Sequence, residues 1–135
     1  MNYAYEIIVG ITTRKNDSST ESQALRAKAN EISLGSADAS DNYITYQIIT
    51  SQHEQTFTSY IENTLIQFDI FSSTQIDALE LMSLLEDVFD DTTLTVDNYS
   101  LIEVTRNNSN FVNREEETGL YHYYVEYDVS VETNK

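Results

Sequence analysis

Residues 65–89, LIQFDIFSSTQIDALELMSLLEDVF, contain the two patterns that decide the fold. In the first part apolar and polar side chains alternate, which is typical of a strand with one buried and one solvent-facing side. The apolar set is Ile66, Phe68 and Ile70, and the polar set is Gln67 and Asp69. One carboxylate with no predictable partner is a weak candidate for acid–base chemistry. We therefore predict that Asp69 is an outward-facing strand residue and not a catalytic centre.

The second part of the stretch predicts one amphipathic helix over about residues 74–89. Apolar residues recur there at spacings of three and four, and acidic and polar residues occupy the opposite side. The apolar positions are Ala78, Leu79, Leu81, Met82, Leu85, Val88 and Phe89. Ser72, Ser73 or Thr74 can cap the start of the helix, and Asp77, three residues after Thr74, resembles a capping box.

Alternating segments elsewhere complete a predicted four-stranded sheet. The four strands are NYITYQIIT (42–50), ENTLIQFDIFS (62–72), YSLIEVTR (99–106) and LYHYYVEYDVSV (120–131). Two strands, the helix and two further strands predict an α+β fold with a mostly antiparallel sheet and the helix packed on one face. The polar segment 107–119 is interpreted as a long hairpin-like loop. Tyr121, Tyr123 and Tyr127 are predicted to lie in the core.

The N-terminal residues 1–30 fit either a strand or a helix. YAYEIIVGITT (3–13) alternates as a strand does, but some of its residues also fit one face of a helix, and periodicity does not choose between them. The residues of that helical face are Ala4, Ile7, Ile8 and Ile11. Segment 15–22 reads as a linker or turn, and segment 23–32 as a short helix. The length of 135 residues predicts a single domain, 1–135, with its sheet-plus-helix core in 31–132.

The charge of the chain is strongly negative. Seven Lys and Arg face 23 Asp and Glu, a formal net charge of −16, and between Ala29 and Thr105 there are 14 acids and no Lys or Arg. Such a surface repels phosphate, whereas nucleic-acid binding needs the opposite charge. The acids are interpreted as an acidic, solvated surface, as a surface that DNA passes without binding, or as one that docks a basic partner.

Composition also narrows the cellular setting. No apolar run approaches the roughly 20 residues of a membrane span, and the N-terminus lacks the basic start of a signal peptide. The chain has no cysteine, which excludes disulfides and thiolate chemistry. We expect a soluble protein that is made in the cytoplasm and has no contact with a membrane.

No catalytic, cofactor or metal site is predicted. Nucleophile-elbow, phosphate-loop and zinc-protease motifs are absent from the sequence. His122, Glu126 and Asp128 share one strand face and are the one candidate acid–base or metal group, but a histidine on a polar strand face is far more often solvated. We therefore expect a protein that is not an enzyme.

Four acids crowd the end of the predicted helix, where the helix dipole disfavours negative charge. They are Glu86, Asp87, Asp90 and Asp91. We interpret them as a solvated acidic end, with cation binding or a basic partner as alternatives. The chain also has ten tyrosines, a residue enriched at interfaces, and Tyr60 and Tyr124 are the interface candidates among them.

Five segments in succession resemble the tail-completion, or tail-terminator, proteins of long-tailed bacteriophages. They are EISLGSADASDNYITYQIIT (31–50), FTSYIENTLIQFDIFSS (57–73), the helix ending in LEDVFDD (85–91), TLTVDNYSLIEVTR (93–106) and REEETGLYHYYVEYDVSVE (114–132). The similarity runs over roughly residues 30–132. Its most specific piece is the strand IQFDIFS followed at once by an amphipathic helix.

The resemblance implies a structural virion protein. Such proteins form a ring, usually hexameric, that caps the head-proximal end of the tail tube, stops its polymerisation and joins the tail to the head connector. The implied partners are further copies of the chain, the major tail tube protein and the head–tail connector proteins, and DNA passes through the ring without specific binding. The implied location is the virion, at the head–tail interface, after assembly in the host cytoplasm. A stopper or adaptor subunit and a non-viral acidic binding module remain as alternatives.

The ring hypothesis assigns roles to particular residues. Strand edges or the segment 107–119 are expected to dock the tail tube by sheet extension. The interface candidates are Tyr60, Tyr124, Arg114, Glu115, Glu116 and Glu117. The candidates for acids that face the channel are Asp90 and Asp91.

Overall fold

The structure, a computed structural model, describes residues 3–94 and 101–134. These residues form three helices: α1 (Tyr3–Lys15), α2 (Thr20–Lys28) and α3 (Gln75–Phe89). They also form five strands: β1 (Glu31–Leu34), β2 (Tyr43–Gln55), β3 (Ser59–Ser72), β4 (Leu101–Arg114) and β5 (Tyr121–Asn134). Within the described ranges, every helix is too short or too polar to cross a membrane.

The sheet has five strands in the order β1-β2-β3-β5-β4. β1 runs parallel to β2, and the other neighbours are antiparallel. The predicted α+β class is confirmed, but the prediction of four strands was wrong because it missed β1. The helix expected over 23–32 ends at Lys28, where Ala29 turns to extended backbone and the N–H of Asn30 donates to the carbonyl of Asn42 at 2.7 Å. A strand of only four residues shows too little alternation to be recognised in the sequence.

The prediction of a long loop over 107–119 was also wrong. β4 continues to Arg114, and only residues 115–120 form the turn before β5. β4 is an edge strand, held by backbone hydrogen bonds to β5, so its asparagine-rich half needs no apolar side chains to remain a strand. Tyr99 and Ser100, the first two residues of the predicted strand 99–106, lie outside the described residues.

The helices cover one face of the sheet, and the core lies between the two layers. Phe68 is at its centre, with ring centroids 5.5 Å from Tyr46, 5.0 Å from Phe89 and 5.8 Å from Tyr127. Ile66, Phe68 and Ile70 are all buried, as the alternation predicts. The core positions predicted for Tyr123 and Tyr127 are confirmed, and Tyr121 packs half-buried against the same cluster.

The N-terminal segment is a helix and not a strand. Ile7 and Ile11, one helical turn apart, are buried, whereas Tyr5 is 65% exposed and Val9 is 36% exposed. This spacing is that of a helix face. The turn within 15–22 is shorter than predicted, because Ser19 caps α2 and the helix begins at Thr20.

The start of α3 allows a direct test of the predicted cap. Thr74 is the N-cap, and its Oγ1 accepts the N–H of Asp77 at 3.3 Å. Replacing Thr74 with alanine is expected to lower the free energy of unfolding by about 1 kcal/mol, because it leaves this N–H without its acceptor. Urea unfolding measures the change. Ser83→Ala, on the exposed side of the same helix, is the control and should change stability little; equal losses in the two variants would contradict the capping role.

Candidate interaction surfaces

The sheet face opposite the helices carries a row of stacked rings. Tyr43 on β2, Phe71 on β3 and His122 on β5 lie side by side, with centroids 4.8 Å apart for the first pair and 4.3 Å for the second. All three side chains are half-buried. This row follows the strand register, which places Tyr43 opposite Phe71 and Phe71 opposite His122.

Asp69 lies on the same face, beside this row. It shares the face with Gln67, as predicted, but it is only 7% exposed, so this outward-facing carboxylate is buried within the fold. The carboxylate accepts hydrogen bonds from Nε2 of His122 at 2.7 Å and from Nε2 of Gln67 at 2.9 Å. Burial is tolerated because both partners donate to the charged oxygens.

His122, Glu126 and Asp128, the candidate acid–base or metal group that the sequence disfavoured, do not come together as such a group. His122 binds Asp69 on the neighbouring strand and is not a solvated histidine, while Asp128 is exposed. Within the described residues, no three His, Asp or Glu side chains come together in a way that could hold a metal ion. The Asp69–His122 pair instead joins the side chains of β3 and β5 on the open face.

Two arginines contact the acidic end of α3, so this end is only partly solvated, which corrects its interpretation as a simply solvated end. Arg106 on β4 contacts Glu86 at 2.6 Å and Asp90 at 3.5 Å. Nε of Arg14 on α1 donates to the carbonyl of Val88 at 2.9 Å, which satisfies one of the free carbonyls at the helix end. Positive groups placed here offset the unfavourable contact between the acids and the helix dipole.

The two candidates for channel-facing acids differ in their surroundings. Asp90 also accepts the hydroxyl of Tyr127 at 2.8 Å, so its carboxylate is engaged within the fold. Burial and this hydrogen bond raise the pKa of Tyr127 well above its ordinary value. Asp91 is exposed and lies in the left-handed region, with φ of +50°. Of the two carboxylates, that of Asp91 is the more accessible from solvent.

The two tyrosine candidates lie far apart. Tyr60 pairs with β5 near the C-terminal end of that strand; its ring stacks on His53 at 5.9 Å, and it is 36% exposed. Tyr124 lies opposite Asp69 on the open face, half-buried, and its hydroxyl accepts from Asn108 at 2.9 Å. One contiguous patch therefore does not contain both.

The remaining interface candidates come together at the turn between β4 and β5. The N–H of Glu115 donates to the carbonyl of Leu120, and the N–H of Gly119, at φ of +73°, donates back to the carbonyl of Glu115, both at 2.8 Å. The guanidinium of Arg114 lies over the ring of Tyr121 at 5.7 Å. Glu116 and Glu117 are exposed. The turn is thus a defined acidic projection.

Sequence reasoning missed several exposed apolar side chains. Phe57 is 99% exposed at the tip of the hairpin between β2 and β3, where the N–H of Thr56 donates to the carbonyl of Ser59 at 2.8 Å. Leu34 on β1 and Phe111 and Val112 on β4 are 53%, 44% and 46% exposed. For Phe57, the sequence feature that could have indicated exposure is a single aromatic residue between two segments with strand-like alternation. The other three required knowledge of which strands form the edges.

Comparison with known proteins places the chain in a family. No curated protein sequence matches it. A chain from the virion of a native gene transfer agent particle has the same fold, with a TM-score of 0.71 and 10% sequence identity over 89% of this chain and 90% of that chain. The sequence profile of the family described as tail completion protein gp17 matches residues 18–132. This confirms the resemblance to tail-completion proteins: the chain belongs to the tail completion protein gp17 family and has a structural role in a phage tail.

Proposed function

We propose that this protein is a tail terminator: copies of it form a ring that caps the head-proximal end of the tail tube, stops tube polymerisation and joins the tail to the head connector. The observation that carries the proposal is the family match over residues 18–132. The same match favours a phage protein over a non-viral acidic binding module. In this role the protein acts by assembly and not by catalysis.

The distribution of exposed apolar residues supports assembly into a closed ring. A ring needs two different surfaces on each subunit, so that each copy presents one surface to the preceding copy and the other to the next. Leu34 lies on β1 and Phe111 and Val112 lie on β4, which are the two edge strands of the sheet. Exposed apolar side chains on both edges are therefore available for head-to-tail contacts between copies.

The charge of the chain supports the passage of DNA. A net charge of −16 repels the phosphate backbone, so DNA moves past such a surface without being held. Asp91, which is exposed, is the better of the two candidates for a residue that faces the channel. In the proposed ring Asp91 faces the channel, while the tube protein and the connector bind the two flat faces.

The proposal is tested with purified protein and tail tubes. Native mass spectrometry and negative-stain imaging should show a closed ring, six-fold if the chain follows its family, and tubes polymerised with the protein should end in that ring. Tubes polymerised without it are the control and should continue to grow. A protein that remains monomeric at high concentration, and that leaves tube length and tube ends unchanged, would falsify the terminator function. Rings that bind connectors but not tubes would instead identify a stopper or adaptor.

A further inference from the structure

Two cations lie side by side near the N-terminus, and neither has an acidic partner among the described residues. Nζ of Lys15, at the end of α1, donates to the carbonyl of Ile32 at 3.0 Å, and Arg26 on α2 donates to the carbonyl of Lys15 at 2.6 Å. In the part of the chain that the structure describes, no carboxylate oxygen lies within 4 Å of either group. Arg14 and Lys28, by contrast, pair with Asp17 and Asp77. An uncompensated pair of cations is notable in a chain that has only seven Lys and Arg.

The two cations line a cleft that has room for an anionic side chain. The cleft, about 230 Å³ in volume, is formed by the end of α1, by α2 and by the start of β1. Glu31 also lines it, but its carboxylate is occupied by the hydroxyl of Ser33 and the N–H groups of Asp38 and Ala39. An ammonium and a guanidinium carry eight donor hydrogens in all, so most of them are not used by the two carbonyls.

The surroundings of Lys15 favour an anionic group beside it. Burial, and then the nearby charge of Arg26, lower the pKa of Lys15 below its ordinary value. A carboxylate placed between the two cations would reverse the second effect, because an opposite charge stabilises the protonated amine. The cleft is therefore electrostatically complementary to acidic side chains.

The acidic turn lies at the opposite edge of the sheet but at the same end. The strand register connects Glu31 of β1 to Tyr43, Tyr43 to Phe71, and Phe71 to His122. The start of β1, which borders the cleft, is thus level with the start of β5, which follows the turn 115–120. Two surfaces at one level on opposite sides of a subunit can meet when copies stand side by side, without a stagger that would turn a ring into a helix.

A second feature matches on the same two sides. Leu34 is exposed beside the cleft on β1, and Phe111 and Val112 are exposed beside the turn on β4. Apolar contact next to paired charges is typical of interfaces between protein subunits. The charge match and the apolar match are separate observations, and they select the same two sides of the molecule.

We propose that the acidic turn of one copy docks into the cleft of the next, with Glu116 and Glu117 against Lys15 and Arg26, and with Phe111 and Val112 against Leu34. The proposal rests on the proposed ring and specifies its contact. The occupant is a second copy of this chain because the same chain carries both complementary surfaces at one level. Repeated around the ring, the contact brings unlike charges together in copies that otherwise repel each other.

Charge reversal on the turn tests the contact. The double variant Glu116→Lys/Glu117→Lys reduces the net negative charge from −16 to −12, which weakens the general repulsion between copies. The control Glu54→Lys/Asp87→Lys makes the same change in net charge at two other exposed positions. Sedimentation velocity measures the concentration at which half of the protein is assembled. We expect this concentration to rise at least about tenfold for the turn variant, because like charges then face each other, and to fall or stay equal for the control.

A charge swap tests which surface the turn meets. Lys15→Glu/Arg26→Glu should also impair assembly, and combining it with the turn variant returns the net charge to −16 and should restore the ring. The melting temperature of each variant shows whether it is folded. If the cleft variant is not folded, the comparison of the turn variant with its control is sufficient to test the contact.

Rings that form equally well in the turn variant and the control would overturn the contact while the terminator function stands. Normal rings that no longer bind tubes would overturn it as well and assign the turn to the tube protein. A wild-type chain that never forms rings would refute both proposals.

Discussion

Replacing Phe68 with alanine is expected to lower the free energy of unfolding by about 3–5 kcal/mol. The ring is 1% exposed and packs against Tyr46, Phe89 and Tyr127, so its removal leaves a cavity between the sheet and α3. This is the largest single-residue effect that we expect, and urea unfolding followed by circular dichroism measures it.

Phe57→Ala is the matched control, since it removes the same side chain from a position that is 99% exposed. Surface substitutions of this kind usually change stability by no more than about 0.5 kcal/mol. If the two variants lost similar stability, Phe68 would not be the centre of the core described above.

The second large effect is a loss of stability at alkaline pH that depends on Tyr127. Burial and the hydrogen bond to Asp90 raise the pKa of this hydroxyl above its ordinary value of 10.0. Above about pH 10 the unfolded chain therefore loses the tyrosine proton, while the folded chain keeps it. The unfolded state then binds fewer protons than the folded state. The contribution of Tyr127 to the free energy of unfolding is therefore complete below the pKa that its hydroxyl has in the unfolded chain, and it is lost as pH rises towards the pKa in the folded chain. The expected decrease is about 1.4 kcal/mol per pH unit.

The contribution of Tyr127 is isolated by comparing variants. Above pH 10 the free energy of unfolding of Tyr127→Phe should fall less steeply with pH than that of the wild type, and the difference should be about the slope of one ionisable group. The stability of this variant at neutral pH is expected to be lower. Tyr5→Phe, on the exposed side of α1, should retain the wild-type slope. Urea midpoints measured from pH 8 to pH 11 give both slopes, and parallel curves for Tyr127→Phe and the wild type would contradict the assignment.

The sequence predicted those elements whose side chains alternate between core and solvent. The strand around Phe68 and the helix after it were recognised because burial imposes a period on each of them. β1 was missed because four residues carry almost no period, and residues 107–114 because backbone hydrogen bonds hold that strand at the edge. Asp69 was assigned to the correct face, but its burial depends on His122, which is 53 positions away along the chain.

The candidate surfaces were less predictable because they depend on pairs that only the fold brings together. Arg106 on β4 contacts Glu86 of α3, and Arg14 contacts Val88, which is 74 positions away along the chain. The spacing of charges along the chain contains no signal for either contact. The acidic turn was recognised because its residues are consecutive, whereas its proposed counterpart, Lys15 with Arg26, combines two helices.

The pairing of β3 with β5 along all fourteen residues, Ser59–Ser72 against Tyr121–Asn134, has a consequence for the order of folding. β2 with β3, and β4 with β5, are joined by short turns and close early, whereas the seam between β3 and β5 must enclose α3 within a long loop. We therefore expect two hairpins to form first and their union along this seam to limit the folding rate. Until the seam closes, β3 and β5 each present a free strand edge, so newly made chains are most prone to mispairing before the subunit is complete.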